Sequence, residues 1–354
     1  MRFLTGLLAV LALLPFAPPA WAQDGFVLGY NQGWIEGKFG RDLSSAFDES
    51  EWRKVLARTR ESGGSVARLW LFEGQPCEGV IFDLHNPVGV DPVFLANVRR
   101  VGQLAREERV RIYWTGFDGN FFGAPTGLEF ARRWNILNDK YGFGTAFQKN
   151  VLGPVLDAIM EKPDTVYAFD VMNEVQGSMH HNFWPDGWDG ARLFMASWAG
   201  FVHARAPGLK TTVSSGWGDS VKDLLKGRFD GLGLDFLDVH IYSDATKIEK
   251  GVQLAAHAIA KGVPIVLGEI GQKKDAIDPN LQAKIVKGVV DDAKKLGFAA
   301  VFVWRLIDEQ PNGKKFSFWD GDVQRPAVAV MKALAPAPAA PAPSKGLVNA
   351  LGGK

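Results

Sequence analysis

The sequence predicts an α/β protein built as a single (β/α)8 TIM barrel, and three observations carry that prediction. Eight short apolar or β-branched runs alternate with longer amphipathic segments, the signature of repeated strand–helix units. The stretch that holds them, residues 23–334, contains no Pro-, Gly- or Ser-rich linker that would divide it, and about 250 residues or more is usual for one barrel. The competing open, doubly wound sheet normally carries a Gly-rich phosphate turn after its first strand. Here that turn reads Gly29-Tyr30-Asn31-Gln32-Gly33-Trp34, and neither GxGxxG nor GxxxxGKS occurs anywhere.

Taken in order, the expected strands are Phe26 to Gly29, Val66 to Phe72, Val110 to Trp114, Thr165 to Val171, Lys210 to Ser214, Phe236 to Tyr242, Val263 to Gly268 and Ala299 to Trp304. Each is short and rich in Val, Ile, Phe, Tyr or Thr, residues that suit a pleated, buried surface. The helices expected around them are Glu51 to Glu61, Pro92 to Glu107, Thr145 to Glu161, Gly190 to Ala206, Ser220 to Lys226, Thr246 to Lys261, Asn280 to Leu296 and Pro326 to Leu334. In the seventh of these, Leu281, Ile285, Val289 and Ala293 recur every fourth residue, as a helix laying one face on a barrel requires. Parallel strands need crossover connections, and eight such units can close the sheet on itself.

The two ends read differently. Arg2 precedes the apolar run Phe3 to Leu14, which closes on Ala20-Trp21-Ala22, so residues 1–22 are expected to be a secretory signal peptide and the mature protein to be secreted or periplasmic. As a membrane anchor the run is shorter than the ~20 residues a span needs, and Pro15, Pro18 and Pro19 interrupt it. From residue 335 the chain becomes APAPAAPAPSKGLVNALGGK, where Pro336, Pro338, Pro341 and Pro343 favour an extended, disordered tail over 335–354.

Composition then limits the ligand. The 354 residues carry a formal net charge of +1, and removal of the leader takes away Arg2 alone and leaves the mature chain neutral. Such a balance gives no electrostatic case for nucleic acid or for a polybasic membrane anchor. With 47% hydrophobic and 22% charged residues the chain can bury a large core. The 12 Trp and 24 Phe against 5 Tyr suggest a flat-faced, uncharged ligand, although large cores also consume aromatics. Cys77 is the only cysteine, which excludes an intrachain disulfide; its Gln-Pro-Cys-Glu-Gly setting reads as a loop thiol rather than a nucleophile.

In a barrel of this kind the reactive groups stand at the C-terminal ends of strands. Glu174 follows the fourth strand in FDVMNEV and Glu269 follows the seventh in VPIVLGEIG, three strand–helix units later. Both can therefore converge on one cleft, and paired carboxylates suit glycoside hydrolysis. Glu36, Glu73, Asp118, Asp244, Asp308 and Glu309 also lie near strand ends and read as solvated loop acids. His180 and His181 lie in a loop, and without HExxH or a comparable ligand set neither a catalytic metal nor a cofactor is expected.

The motif set GYNQGW, ARLWLF, NE at 173–174, VHIY, GEIG and VFVWR, distributed over strands one, two, four, six, seven and eight, resembles the clan of retaining glycosidases with (β/α)8 barrels, and within it glycoside hydrolase family 5, the cellulase and endo-β-mannanase family. The resemblance implies that Glu174 is the general acid/base and Glu269 the nucleophile of a double displacement, with carboxyls about 5 to 5.5 Å apart, and with Glu174 kept protonated by the charge of Glu269. It implies that Arg68 holds Glu269 ionised, that Asn173 donates to the sugar 2-hydroxyl, and that Trp304 lies under the sugar at the scissile bond. Asn31, in the GYNQGW piece, joins the supporting set. Tyr242 would donate to Glu269 and His240, two residues away on the same strand face, would contact the sugar or else be a satisfied core histidine. Trp34, Trp70, Trp114, Trp184 and Trp188 are candidates for further sugar contacts, with some of them expected to serve only packing.

Two departures from the family pattern bear on substrate. Val175 replaces the proline that often follows the NE pair, and Tyr113-Trp114-Thr115-Gly116-Phe117-Asp118 lacks the histidine of many cellulases. The Arg-Leu-Trp and Gly-Tyr-Asn pieces look more like the mannanases, and the long segments Gly116 to Thr145 and Val175 to Asp189 suggest walls around a cleft. The expectation is a monomeric, endo-acting retaining β-glycosidase that takes a polysaccharide or oligosaccharide: a β-mannan, a β-glucan or a bacterial exopolysaccharide. Its competitor is a noncatalytic glycan-binding or polysaccharide-assembly protein on a glycosidase barrel.

Overall fold

The computed structural model of the protein describes residues 25–74, 77–121, 124, 126–272, 278–308 and 316–336. The leader at 1–22 and the tail beyond residue 336 lie outside the described residues, as does Glu309. Eight strand positions form a parallel barrel ringed by helices. The strands are β1 (Val27–Asn31), β2 (Val66–Trp70), β3 (Arg111–Asp118), β4 (Val166–Asn173), β5, β6 (Leu237–Tyr242), β7 (Ile265–Gly271) and β8 (Ala300–Val303). The β5 position is filled by two short pieces, Thr211–Thr212 and Ser214–Ser215, interrupted at Val213. The first piece pairs with β4 and the second with β6, while β1 pairs with both β2 and β8, so the ring is nearly closed.

Residues alternate between two apolar layers, as the two-residue period of a strand demands. Val27, Val66, Tyr113, Ala168, Val266, Ala300 and Phe302 form one buried cluster, to which six of the barrel strands contribute. The larger cluster takes the opposite strand faces, among them Leu28, Leu69, Trp114, Phe169 and Leu267, and packs them against the helices. Helix ends follow the local sequence. The helix Pro279–Leu296 begins with Asp278 accepting from the backbone N–H groups of Asn280 and Leu281, has Pro at its first position, and ends at Gly297 in the left-handed region. Its expected core face is buried at Ile285, Val289 and Ala293, with Leu281 partly covered. Among the described residues no helix is long and apolar enough to cross a membrane.

Three expectations need correction. The strand expected to end at Trp114 runs on to Asp118, which moves Trp114 from a strand end to mid-strand. The helix expected over Thr145 to Glu161 is present over 143–160 but changes its hydrogen-bond register, with α-helix at Phe143–Phe147, a π-helical stretch at Gln148–Leu152 and α-helix again at Gly153–Met160; Pro154 lacks the N–H that an unbroken α-helical ladder would need. The long segments after β3 and β4 are also partly helical, at Leu128–Leu137 and Val175–His180. A hairpin, Val80–Asp83 with Asn86–Val90, adds to the β2 connection and was not anticipated.

Candidate active site

A cleft of about 700 Å³ opens at the C-terminal ends of the strands. Its floor carries Asn173, Glu174, His240, Tyr242 and Glu269, and one wall is the group Trp34, Trp70 and Trp304. Their ring centroids lie 5.4 Å apart for Trp34–Trp70, 5.9 Å for Trp34–Trp304 and 5.8 Å for Trp70–Trp304.

The base of the site is a buried cation. Arg68 on β2 is fully buried, and its Nη1 donates to Glu269 Oε1 at 2.8 Å and to Asn31 Oδ1 at 3.0 Å. Its Nη2 donates to Asp170 Oδ2 at 2.7 Å and to Asn173 Oδ1 at 2.9 Å. Burial alone would disfavour the charge, but Asp170 and Glu269 outweigh it, so the guanidinium stays protonated. This forked donor sets the side chains at the ends of β1, β4 and β7 relative to one another. Asn31 is further tied to β7 by Nδ2 donating to the Gly268 carbonyl at 2.9 Å.

Glu269 is buried and held at both oxygens, since Tyr242 donates its hydroxyl to Oε2 at 2.6 Å. Burial pushes its carboxyl above the ordinary range, the charge of Glu174 adds to this, and His240, Arg68 and the Tyr242 hydroxyl oppose it. Glu174 sits just past β4 with φ of 50°, its backbone N–H donating to Ser214 Oγ at 3.0 Å. Its carboxyl is pushed up to about 7, chiefly by burial with Asp170 adding, against the charge of Arg68 and hydrogen bonds from the Asn120 side chain and the Trp217 backbone. The expected cause was the neighbouring charge of Glu269; the cause is instead desolvation, and the charge that adds to it is that of Asp170.

His240 lies between the two carboxylates, its Nδ1 3.1 Å from Glu174 Oε1 and 3.7 Å from Glu269 Oε2. Burial lowers its pKa and favours the neutral ring. Glu174, His240 and Glu269 each offer one ligand atom within 4.8 Å of the others, the one such grouping among the described residues. That trio could hold a cation, but Arg68 already sets a positive charge 2.8 Å from Glu269. The same measure puts an oxygen of Glu174 within 4.8 Å of an oxygen of Glu269.

Several expected residues fall elsewhere. Trp114 is 1% exposed and belongs to the core: Tyr113 faces the barrel interior, so its neighbour must face the helices. Trp184 is buried too, its Nε1 donating to Ser178 Oγ at 2.9 Å, and Trp188 packs on Phe229. Glu73, Asp118 and Asp308, expected as solvated acids, are buried. Asp118 accepts from Asn173 Nδ2 at 3.0 Å because β3 extends far enough to carry it to the site.

Other participants were missed. Asp170 and Asp238 lie within strands, the latter accepting from the Tyr113 hydroxyl at 2.7 Å and pushed up to about 6 by burial. Trp217, after β5, is partly exposed over the cleft and donates from Nε1 to Asn120 Oδ1 at 3.1 Å. Its Ser-Ser-Gly-Trp-Gly-Asp setting at a strand end was the available signal.

No family model and no curated protein matches this sequence. Solved structures do resemble the fold. The β-mannanase from the blue mussel Mytilus edulis is 17% identical with a TM-score of 0.63, over 88% of this chain and 91% of that one. The endo-1,4-β-mannanase from Eisenia fetida is 15% identical with a TM-score of 0.64, over 88% and 91%. The GH5_18 protein from Streptomyces cattleya in complex with GlcNAc is 15% identical with a TM-score of 0.68, over 88% and 79%. At such identities the likeness is one of fold.

Proposed function

We propose that this protein is a retaining glycoside hydrolase, like those of family 5, that cleaves a β-mannan-type polysaccharide internally and works outside the cytoplasm. The observation that carries the reading is the pair Glu174 and Glu269, with oxygens within 4.8 Å of each other and contrasting partners. A retaining pair stands about 5 to 5.5 Å apart, whereas an inverting pair needs roughly 6.5 Å or more to admit a water. The β-mannanase barrels favour mannan among the neutral polysaccharides, and the tryptophan wall suits the C–H faces of pyranose rings.

In this mechanism Glu174 begins protonated and Glu269 ionised. Glu269, held by Arg68 and Tyr242, attacks the anomeric carbon while Glu174 gives its proton to the glycosidic oxygen, so the C–O bond breaks and the leaving chain departs as an alcohol. Esterification removes the Glu269 charge, which eases ionisation of Glu174. Glu174 then takes a proton from water, the hydroxide oxygen bonds to the anomeric carbon, and the ester to Glu269 breaks.

The test is Glu269→Gln, which keeps shape and removes the nucleophile. It should lower release of reducing ends from mannan by about a thousandfold or more, with folding and glycan binding retained. Near-normal turnover would sink the assignment. Product sizes decide the mode of attack: internal cleavage yields a ladder of oligosaccharides, and release of single sugars alone contradicts it.

A further inference from the structure

A second cavity, of about 280 Å³, lies beside the cleft and meets it at Asp118 and Asn120. Three buried charged side chains line it, Asp118 at the junction with the cleft and Arg133 and Glu73 beyond it. Arg133 is 5% exposed, and among the described residues its Nε and Nη2 have no hydrogen-bond partner. Around it stand rings rather than acceptors, with Phe117, Phe121 and Phe183 centroids 6.0, 5.8 and 5.5 Å from its Cζ. Glu73 is 2% exposed; its Oε2 accepts from the Gly40 backbone at 3.3 Å, while Oε1 has no partner among the described residues. A guanidinium and a carboxyl so placed are costly to bury, and a ligand that satisfies both would repay that cost.

The ligand's chemistry follows from the wall. A carboxylate entering the cavity would be drawn to Arg133 but would face Glu73 and Asp118. A ring bearing several hydroxyls can accept from Arg133 and donate to the two acids, and its apolar face can lie on Phe39 or Phe121. The volume is less than half that of the cleft and suits one ring rather than a chain. Position fixes its relation to the backbone of the substrate. The tryptophan wall shares no residue with the cavity, whereas Asp118 and Asn120 adjoin Asn173 and Glu174. A polymer lying along that wall would pass the cavity mouth, and only a substituent near the scissile bond would enter.

We infer that this cavity is a side pocket for one neutral sugar branch, held by Arg133 and Glu73, so that the enzyme prefers a branched polysaccharide. This rests on the hydrolytic reading above and adds the substrate class.

The experiment compares kcat/KM on β-1,4-mannopentaose, on the same pentaose bearing one neutral hexosyl branch, and on one bearing a uronic acid branch. The wild type should favour the neutral branch over the unbranched chain by about tenfold or more. Arg133→Met and the near-isosteric Glu73→Gln should each cut that ratio about tenfold, and the Glu73→Gln protein guards against a result caused by misfolding. Calorimetric binding of the three compounds to Glu269→Gln reads the pocket without turnover. Preferential binding of the neutral branch without any hydrolysis by the wild type would support the pocket and contradict the hydrolase. Equal kcat/KM and equal affinity for branched and unbranched compounds, or preference for the uronic acid branch, would overturn the pocket and leave the hydrolase standing.

Discussion

Glu174 and Glu269 have the same side chain and different neighbours, and that difference supports the distinct roles proposed for them. Arg68 and Tyr242 clasp Glu269 at both oxygens, which suits a carboxylate that must stay ionised and aimed. Glu174 has the carboxyl that burial pushes to about 7, which suits an acid that must hold a proton near neutrality and then release it. The free enzyme should therefore lose kcat/KM as pH rises through about 7, because the fraction with protonated Glu174 falls. On an aryl glycoside whose leaving group needs no proton, the alkaline limb should disappear; a limb near 7 that persists in Glu174→Gln would assign it to another group. The place of both glutamates in the cleft could be read from sequence because an acid at a strand end has recognisable company. Asp170 and Asp238 could not, since a strand-borne aspartate shows its purpose only when the barrel brings Arg68 and Tyr113 against it.

At the scale of elements, the strand ends matter more than the strands. Extending β3 to Asp118 leaves Trp114 in mid-strand, where alternation with Tyr113 turns it outward, and brings Asp118 to Asn173; a sequence pattern that marks a strand well marks its end poorly. Beyond the interrupted β5, Gly216 lies so close to the proposed acid/base that a Cβ there would stand 2.2 Å from Glu174 Cγ. Gly216→Ala should thus displace the Glu174 side chain and lower kcat by about a hundredfold while the barrel stays folded. Wild-type kcat in a folded Gly216→Ala protein would show that the backbone approach does not position Glu174. The motif reading missed this glycine because its role depends on a neighbour some forty residues away, supplied by another strand.

For the whole molecule, the barrel gathers buried acids into one region, and its stability should record them. Glu174 and Asp238 have folded pKa values of about 7 and about 6, above their ordinary carboxylate values. The folded state then holds more protons than the unfolded one over that interval. Their contribution is complete below the ordinary carboxylate range and is lost as pH rises through about 6 and then about 7. Tm should fall between pH 5 and pH 8, and Glu174→Gln should make the fall smaller. A Tm that climbs over that range would contradict the burial assigned to these groups. Composition alone gave no case for a polyanion; the cleft adds support for the proposed neutral glycan, because it sets the tryptophan wall beside the carboxylates.

The most direct measurement concerns the covalent intermediate. Glu174→Gln protein, given an activated aryl β-mannoside, should form the intermediate faster than it hydrolyses it, because the first step no longer needs an acid while the second still lacks its base. After acid quench and proteolysis, mass spectrometry should find one glycosyl unit esterified to the peptide that contains Glu269. Turnover of that mannoside with no adduct, or an adduct on any other residue, would contradict double displacement at this pair.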